Sequence, residues 1–181
     1  MFHDNSPLGR IVNFLAMVMA LAGGIALLVL VGMVVVSVVG RAMIWAGLRP
    51  IYGDYEIAEV IVGFAIFAFM PWAHLKRGNA IVSILTDRFG PTVNRWILVI
   101  TDLMMLAAAA FIAWRLYYGM LDRFRYGETT LLLRISMGWA YATGFVGAVV
   151  FVIIAVYVLG RSLSAALEGK DEDVATSGVQ H

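Results

Sequence analysis

The sequence predicts an all-α integral membrane protein that crosses a bilayer four times. Three observations lead there. Of the 181 residues, 62% are hydrophobic, only 14% are charged, and the apolar residues gather into four long runs separated by polar connectors. Soluble domains carry about 45–50% apolar and about 25% charged residues, so a water-soluble fold of this size could not cover so much apolar surface. A mean hydropathy of +0.89 agrees. The solvent must in part be lipid. The formal net charge of +1, with no long Lys/Arg run, gives no sign of a nucleic-acid partner. The absence of cysteine excludes disulfides, thiolate metal sites and iron–sulfur clusters.

The first predicted span covers residues 11–39, after Arg10. A secretory apolar region is about 7–15 residues long; this run is about twice that, so it reads as a helix retained in the mature protein. At 1.5 Å per residue it reaches ~43 Å against ~30 Å of hydrocarbon, which requires tilt or projection beyond the membrane. The second span is about residues 57–72, or slightly longer at each end. Asp54, Glu56 and Glu59 crowd its start, where carboxylates suit the helix dipole, and Pro71 is expected to kink or stop it. The third is 96–114 and the fourth 139–159. Trp45, Trp72, Trp96, Trp114 and Trp139 all fall at or beyond these ends, where indole rings favour the headgroup level. They are candidate interfacial anchors.

Between the second and third spans, residues 80–89 put Ile81, Ile84, Leu85 and Phe89 on one helical face. This segment reads either as a short amphipathic helix in the membrane interface or as a surface connector ended by Gly90-Pro91. The connector at 119–138 is polar enough to be wet, with Leu131-Leu132-Leu133 as an apolar anchor. The spans and their connectors make one domain over residues 1–165. Residues 166–181 read as a polar, disordered tail. An even number of crossings puts both termini on one side. The Lys/Arg count, seven on that side against six on the other, gives no orientation.

Asp102 lies six residues past Trp96, ~9 Å inside the third span. A charge at the midplane costs about 2.5–3.5 kcal/mol. The apolar residues of that span return roughly 2.4–4.8 kcal/mol, so Asp102 should face protein or water. It reads as a structural partner of a polar group on another helix or subunit, as an ion or proton site, or as a carboxylate that reaches the headgroups. Glu56 and Glu59, three apart, share a helix face and are candidates for contact with an arginine of another helix or subunit; Arg41, after the first span, is a further contact candidate. His74 beside Lys76 and Arg77 reads as an interfacial side chain. His3, His74 and His181 cannot supply a paired haem site within spans. No P-loop, nucleophile elbow or zinc motif occurs. The chain is therefore expected to be neither an enzyme nor a cofactor carrier. Small-residue stripes at Ala16, Ala20 and Gly24, and at Ala140, Gly144 and Ala148, predict close helix packing.

Several residues carry a family resemblance: Arg41; Glu56-Ile57-Ala58-Glu59; His74-Leu75-Lys76-Arg77-Gly78-Asn79 with the Ile-Val-x-Ile-Leu stretch after it; and Gly127-Glu128-Thr129-Thr130 leading to Leu133-Arg134-Ile135 and Trp139. In this order the chain resembles the small membrane subunit of tripartite ATP-independent periplasmic (TRAP) transporters. The resemblance implies an inner-membrane protein with cytoplasmic termini. Its implied partners are a large sodium-coupled membrane subunit and a periplasmic substrate-binding protein that delivers an organic acid. It implies a scaffold role without a catalytic residue or substrate ligand. A stand-alone channel or exporter, with Asp102 and Glu59 lining an ion path, is the alternative.

Overall fold

A computed structural model describes residues 6–76 and 91–168. Among these residues the regular structure is helical: α1 (Pro7–Ala42), a 3-10 turn (Ile44–Ala46), α2 (Asp54–Leu75), α3 (Pro91–Tyr126) and α4 (Met137–Glu168). An isolated bridge pairs Thr129 with Ser136. All four helices are long and apolar enough to cross a membrane, which makes the chain a multi-pass membrane protein.

Every helix outruns the span predicted for it. Hydropathy marks the stretch that suits hydrocarbon, but a helix continues into polar flanks wherever its own hydrogen-bond ladder continues. Ser6 caps α1 by accepting from the Gly9 amide at 3.0 Å, and Pro7 occupies the first turn, where its missing N–H is harmless. At its far end α3 runs through Arg115, Asp122, Arg123 and Arg125 to Tyr126. The first part of the connector expected at 119–138 is therefore helix, held by packing. A side chain at Gly119 would strike the Tyr141 ring, and Gly138 lies under Phe124. Residues 166–168 of the expected tail belong to α4. The rest of that tail and the proposed interfacial segment at 80–89 lie outside the described residues.

Pro71 does not stop α2, which runs on to Leu75 with Pro71 fully buried inside it. The reason is local. Pro71 takes the amide donor away from the carbonyl of Phe67 one turn earlier. That carbonyl lies against Gly147 of α4, where even a Cβ would stand only 3.0 Å from it. A bare glycine backbone accommodates the disturbed turn.

The helices pack in the order α1–α2–α4–α3, with only a light contact of α1 on α4 and no seam joining α1 to α3. Helix α4 is common to both apolar clusters. Its Val150, Ile154, Tyr157 and Val158 meet Val12 and Ala16 of α1 and Leu75 of α2. Its Phe151 and Ala155 meet Ala109 of α3, with Met70 of α2 packed alongside. Val12 and Ala16 share this cluster with Tyr157 and Val158, which sets the start of α1 near the later turns of α4.

The buried residues of α1 are Gly9, Ala16, Gly23, Leu30 and Ser37, which recur at every seventh position, with Val12 and Gly40 each three residues past one of them. A seven-residue repeat belongs to the shallow left-handed crossing common in membrane bundles. It departs from the four-residue stripe expected from Ala16, Ala20 and Gly24. Gly23 meets Ala68 of α2, whereas Gly24 has open space. In α4 the expected positions do pack: Gly144 lies on Phe67, and Ala148 is fully buried.

Candidate functional site

The polar groups of the helices collect at the two ends of the molecule. At the loop end, Glu56 in the first turn of α2 is almost fully buried. It accepts hydrogen bonds from the backbone amides of Leu132 at 2.7 Å and Leu133 at 2.9 Å. The sequence suggested an arginine as its partner; two consecutive amides take that place. Their loop is built to present them. Gly127 (φ +62) turns the chain out of α3, Thr130 donates to the Ile135 carbonyl at 2.9 Å, and Met137 donates to the Glu128 carbonyl at 2.9 Å. The hydroxyl of Thr130 accepts from the Ile135 amide at 3.0 Å. Arg123 pairs with Glu128 across the same turn, and its guanidinium lies 5.5 Å from the centroid of the Tyr141 ring. Leu133 then closes over Gly53, whose φ of +73 and lack of Cβ let the leucine come into contact. A larger residue there would be strained twice over.

Arg41 pairs with Asp54 at 3.4 Å, with the arginine side chain 64% exposed. The stronger bond is the buried one: Ser37 of α1 donates to Asp54 at 2.5 Å and accepts from the Ile51 amide at 3.3 Å. Asp54 and Ser37 escaped the sequence reading as a pair. Asp54 was read there only as a dipole-matching carboxylate, and a lone serine in an apolar run carries little signal.

Glu59 is exposed and makes no hydrogen bond or ion pair with a described residue. Residues three apart on a helix are still about 60° apart around its axis. That is enough to bury Glu56 under the loop and leave Glu59 outside.

At the opposite end, Asp102 of α3 is buried and accepts a hydrogen bond from the hydroxyl of Ser162 of α4, itself buried. Asp102 thus faces protein inside the chain. Ser162 lies 25 residues into α4, so roughly 37 Å along the helix separates it from the loop that holds Glu56. Asp102 and Glu59 accordingly form no common cluster, and among the described residues no group of three or more His, Asp or Glu could hold a metal ion. His74 corrects an expectation. It is buried in the protein near the end of α2 and not an exposed side chain, edge-on to Phe151 of α4 with ring centroids 5.7 Å apart.

The tryptophans divide into two kinds. Trp45, Trp96, Trp114 and Trp139 are exposed. Trp72 is partly buried against the cluster of α1, α2 and α4, with Lys76 over its ring at 5.0 Å.

Comparison with curated proteins gives no match. The family model described as tripartite ATP-independent periplasmic transporters, DctQ component, matches residues 30–165. That stretch runs from the middle of α1 nearly to the end of α4 and contains Glu56, Asp102 and the loop that holds Glu56. The chain belongs to this family: it is a small membrane component of a TRAP transporter.

Proposed function

We propose that the chain is a non-catalytic scaffold for the large membrane subunit of a sodium-coupled TRAP transporter. In this reading it sits in a bacterial or archaeal inner membrane with both termini cytoplasmic. It braces the static part of the large subunit during uptake of an organic acid delivered by a periplasmic binding protein. The observation that carries the reading is the open order of the helices. With α1 and α3 unjoined at the two outer positions of the row, on either side of α2 and α4, long apolar surfaces stay on the outside, including Leu28 of α1 and Met104 of α3. Such surfaces suit lipid on one side and another membrane subunit on the other.

The polar groups fit the same reading. Glu56, Asp54 and Asp102 each bond within the chain, which suits stiffening between helices. A transport site, by contrast, is built from broken half-helices whose polar groups point at the cargo.

The test is sodium-driven uptake in proteoliposomes holding the large subunit with or without this chain. Uptake that needs the chain, while the large subunit alone still binds its substrate, supports a scaffold. Full uptake by the large subunit alone would contradict it.

A further inference from the structure

The chain leaves α1 through the turn at Ile44–Ala46 and reverses at Gly47 (φ +85). It then returns directly onto the helix it has left. A Cβ at Gly40 would stand 2.4 Å from the carbonyl oxygen of Arg49, so the returning strand touches bare helix backbone. The close approach leaves an open groove of about 230 Å3 lined by Val35, Val36, Val39, Gly40, Leu48 and Arg49. Its walls are apolar along α1, and the one charged residue that lines it is Arg49, whose backbone lies on Gly40 and whose side chain is exposed beside it. Among the described residues Arg49 has no acidic partner. The nearby Arg41 is already paired with Asp54.

We propose that this groove binds one anionic phospholipid, with its phosphate on Arg49 and the upper part of an acyl chain along Val39, Val36 and Val35. Three physical points converge on that occupant. A planar guanidinium matches a phosphodiester with two parallel hydrogen bonds. One unpaired positive charge balances one net negative headgroup. A zwitterionic headgroup would bring an ammonium for which the groove offers no free carboxylate, since Asp54 is engaged by Ser37 and Arg41. Finally, the groove points the correct way in the membrane. Arg49 lies beside the exposed Trp45 turn at the helix end, and Val35 lies about 7 Å further toward the centre of α1.

The experiment is native mass spectrometry of the full chain in detergent, with phosphatidylglycerol or phosphatidylcholine added at equal concentration. Wild type should retain one phosphatidylglycerol in preference to phosphatidylcholine. Arg49→Gln should weaken phosphatidylglycerol retention about fivefold, roughly the net value of one hydrogen bond, and weaken phosphatidylcholine, which shares the phosphodiester, by less. Val36→Trp, at a position that is 60% exposed and so tolerant of bulk, should reduce retention by filling the groove. Inorganic phosphate should not displace the lipid. Equal retention of the two lipids, no effect of Arg49→Gln in a variant of unchanged thermal stability, or displacement by inorganic phosphate would each overturn the proposal. The assay uses this chain alone, so its result is separate from that of the uptake experiment.

Discussion

Helices α1 and α4 are almost equally apolar, yet they have opposite surroundings. Half of the most apolar stretch of α4 is buried inside the protein, against 17% of that of α1. Hydropathy therefore states that both cross the membrane and says nothing about which is the spine. The difference lies in small residues that meet a partner. In α4, Gly144 and Gly147 both face Phe67 and leave room for the helix to approach α2. In α1, Gly24 and Gly32 face open space, and the packing falls to one narrow stripe, Gly9, Ala16, Gly23, Leu30 and Ser37 with Val12 and Gly40 beside it. In lipid, where apolar surface gives no net drive to associate, close van der Waals approach and polar ties decide which face is inside.

This contrast predicts a graded series of substitutions, each read as thermal unfolding of the purified protein. The largest loss belongs to Gly147→Leu. A Cβ there would be 2.8 Å from the Cβ of Phe67 and 3.0 Å from its carbonyl, and the backbone cannot step aside. Destabilisation should reach about 3 kcal/mol, the upper end for overpacking. Gly24→Leu, facing nothing within 4 Å, should be neutral. Equal effects would erase the distinction between spine and flank.

Next comes Glu56→Ala, which strands the amides of Leu132 and Leu133 and should cost about 2 kcal/mol. Glu59→Ala should change nothing measurable, since Glu59 is exposed. A third, smaller effect is expected at the α3–α4 seam. Ser162→Ala removes the hydroxyl that Asp102 accepts from and should cost about 1 kcal/mol, in the range of interhelical hydrogen bonds in membranes. A double-mutant cycle with Asp102→Asn should show the coupling. Smallest is Arg41→Ala, whose pair with Asp54 is largely exposed and is worth about 0.3 kcal/mol. Ser37→Ala should exceed it, because Ser37 is buried and serves both Asp54 and the Ile51 amide.

Much of the architecture is legible in the sequence because it follows from composition. Four apolar runs must be four helices in lipid, since every backbone group must be bonded internally there. The inward direction of Asp102 also follows, from the cost of a carboxylate facing hydrocarbon. The partners do not follow. Glu56 bonds to amides 76 and 77 residues away, and backbone amides have no sequence signature. His74 looked interfacial because its sequence neighbours are basic, but the face it occupies turns toward Phe151. Pro71 is expected to kink or stop α2, and that the helix runs on past it is not legible locally, because Gly147, which lies on the Phe67 carbonyl, sits on another helix. Local rules describe a helix by itself, and these three cases are decided between helices.

The central claim is that α4 turns one full face into the protein, while α1 and α3 turn most of their apolar surface outward. The chain has no cysteine, so single spin labels can be placed at Leu28→Cys, Met104→Cys and Ile154→Cys without removing any native thiol. In bilayers, labels at positions 28 and 104 should relax strongly with dissolved oxygen and weakly with a water-soluble paramagnetic reagent, while position 154, fully buried, should respond to neither. Oxygen access at 154 equal to that at 28, or strong access of the water-soluble reagent to 28 and 104, would contradict the account.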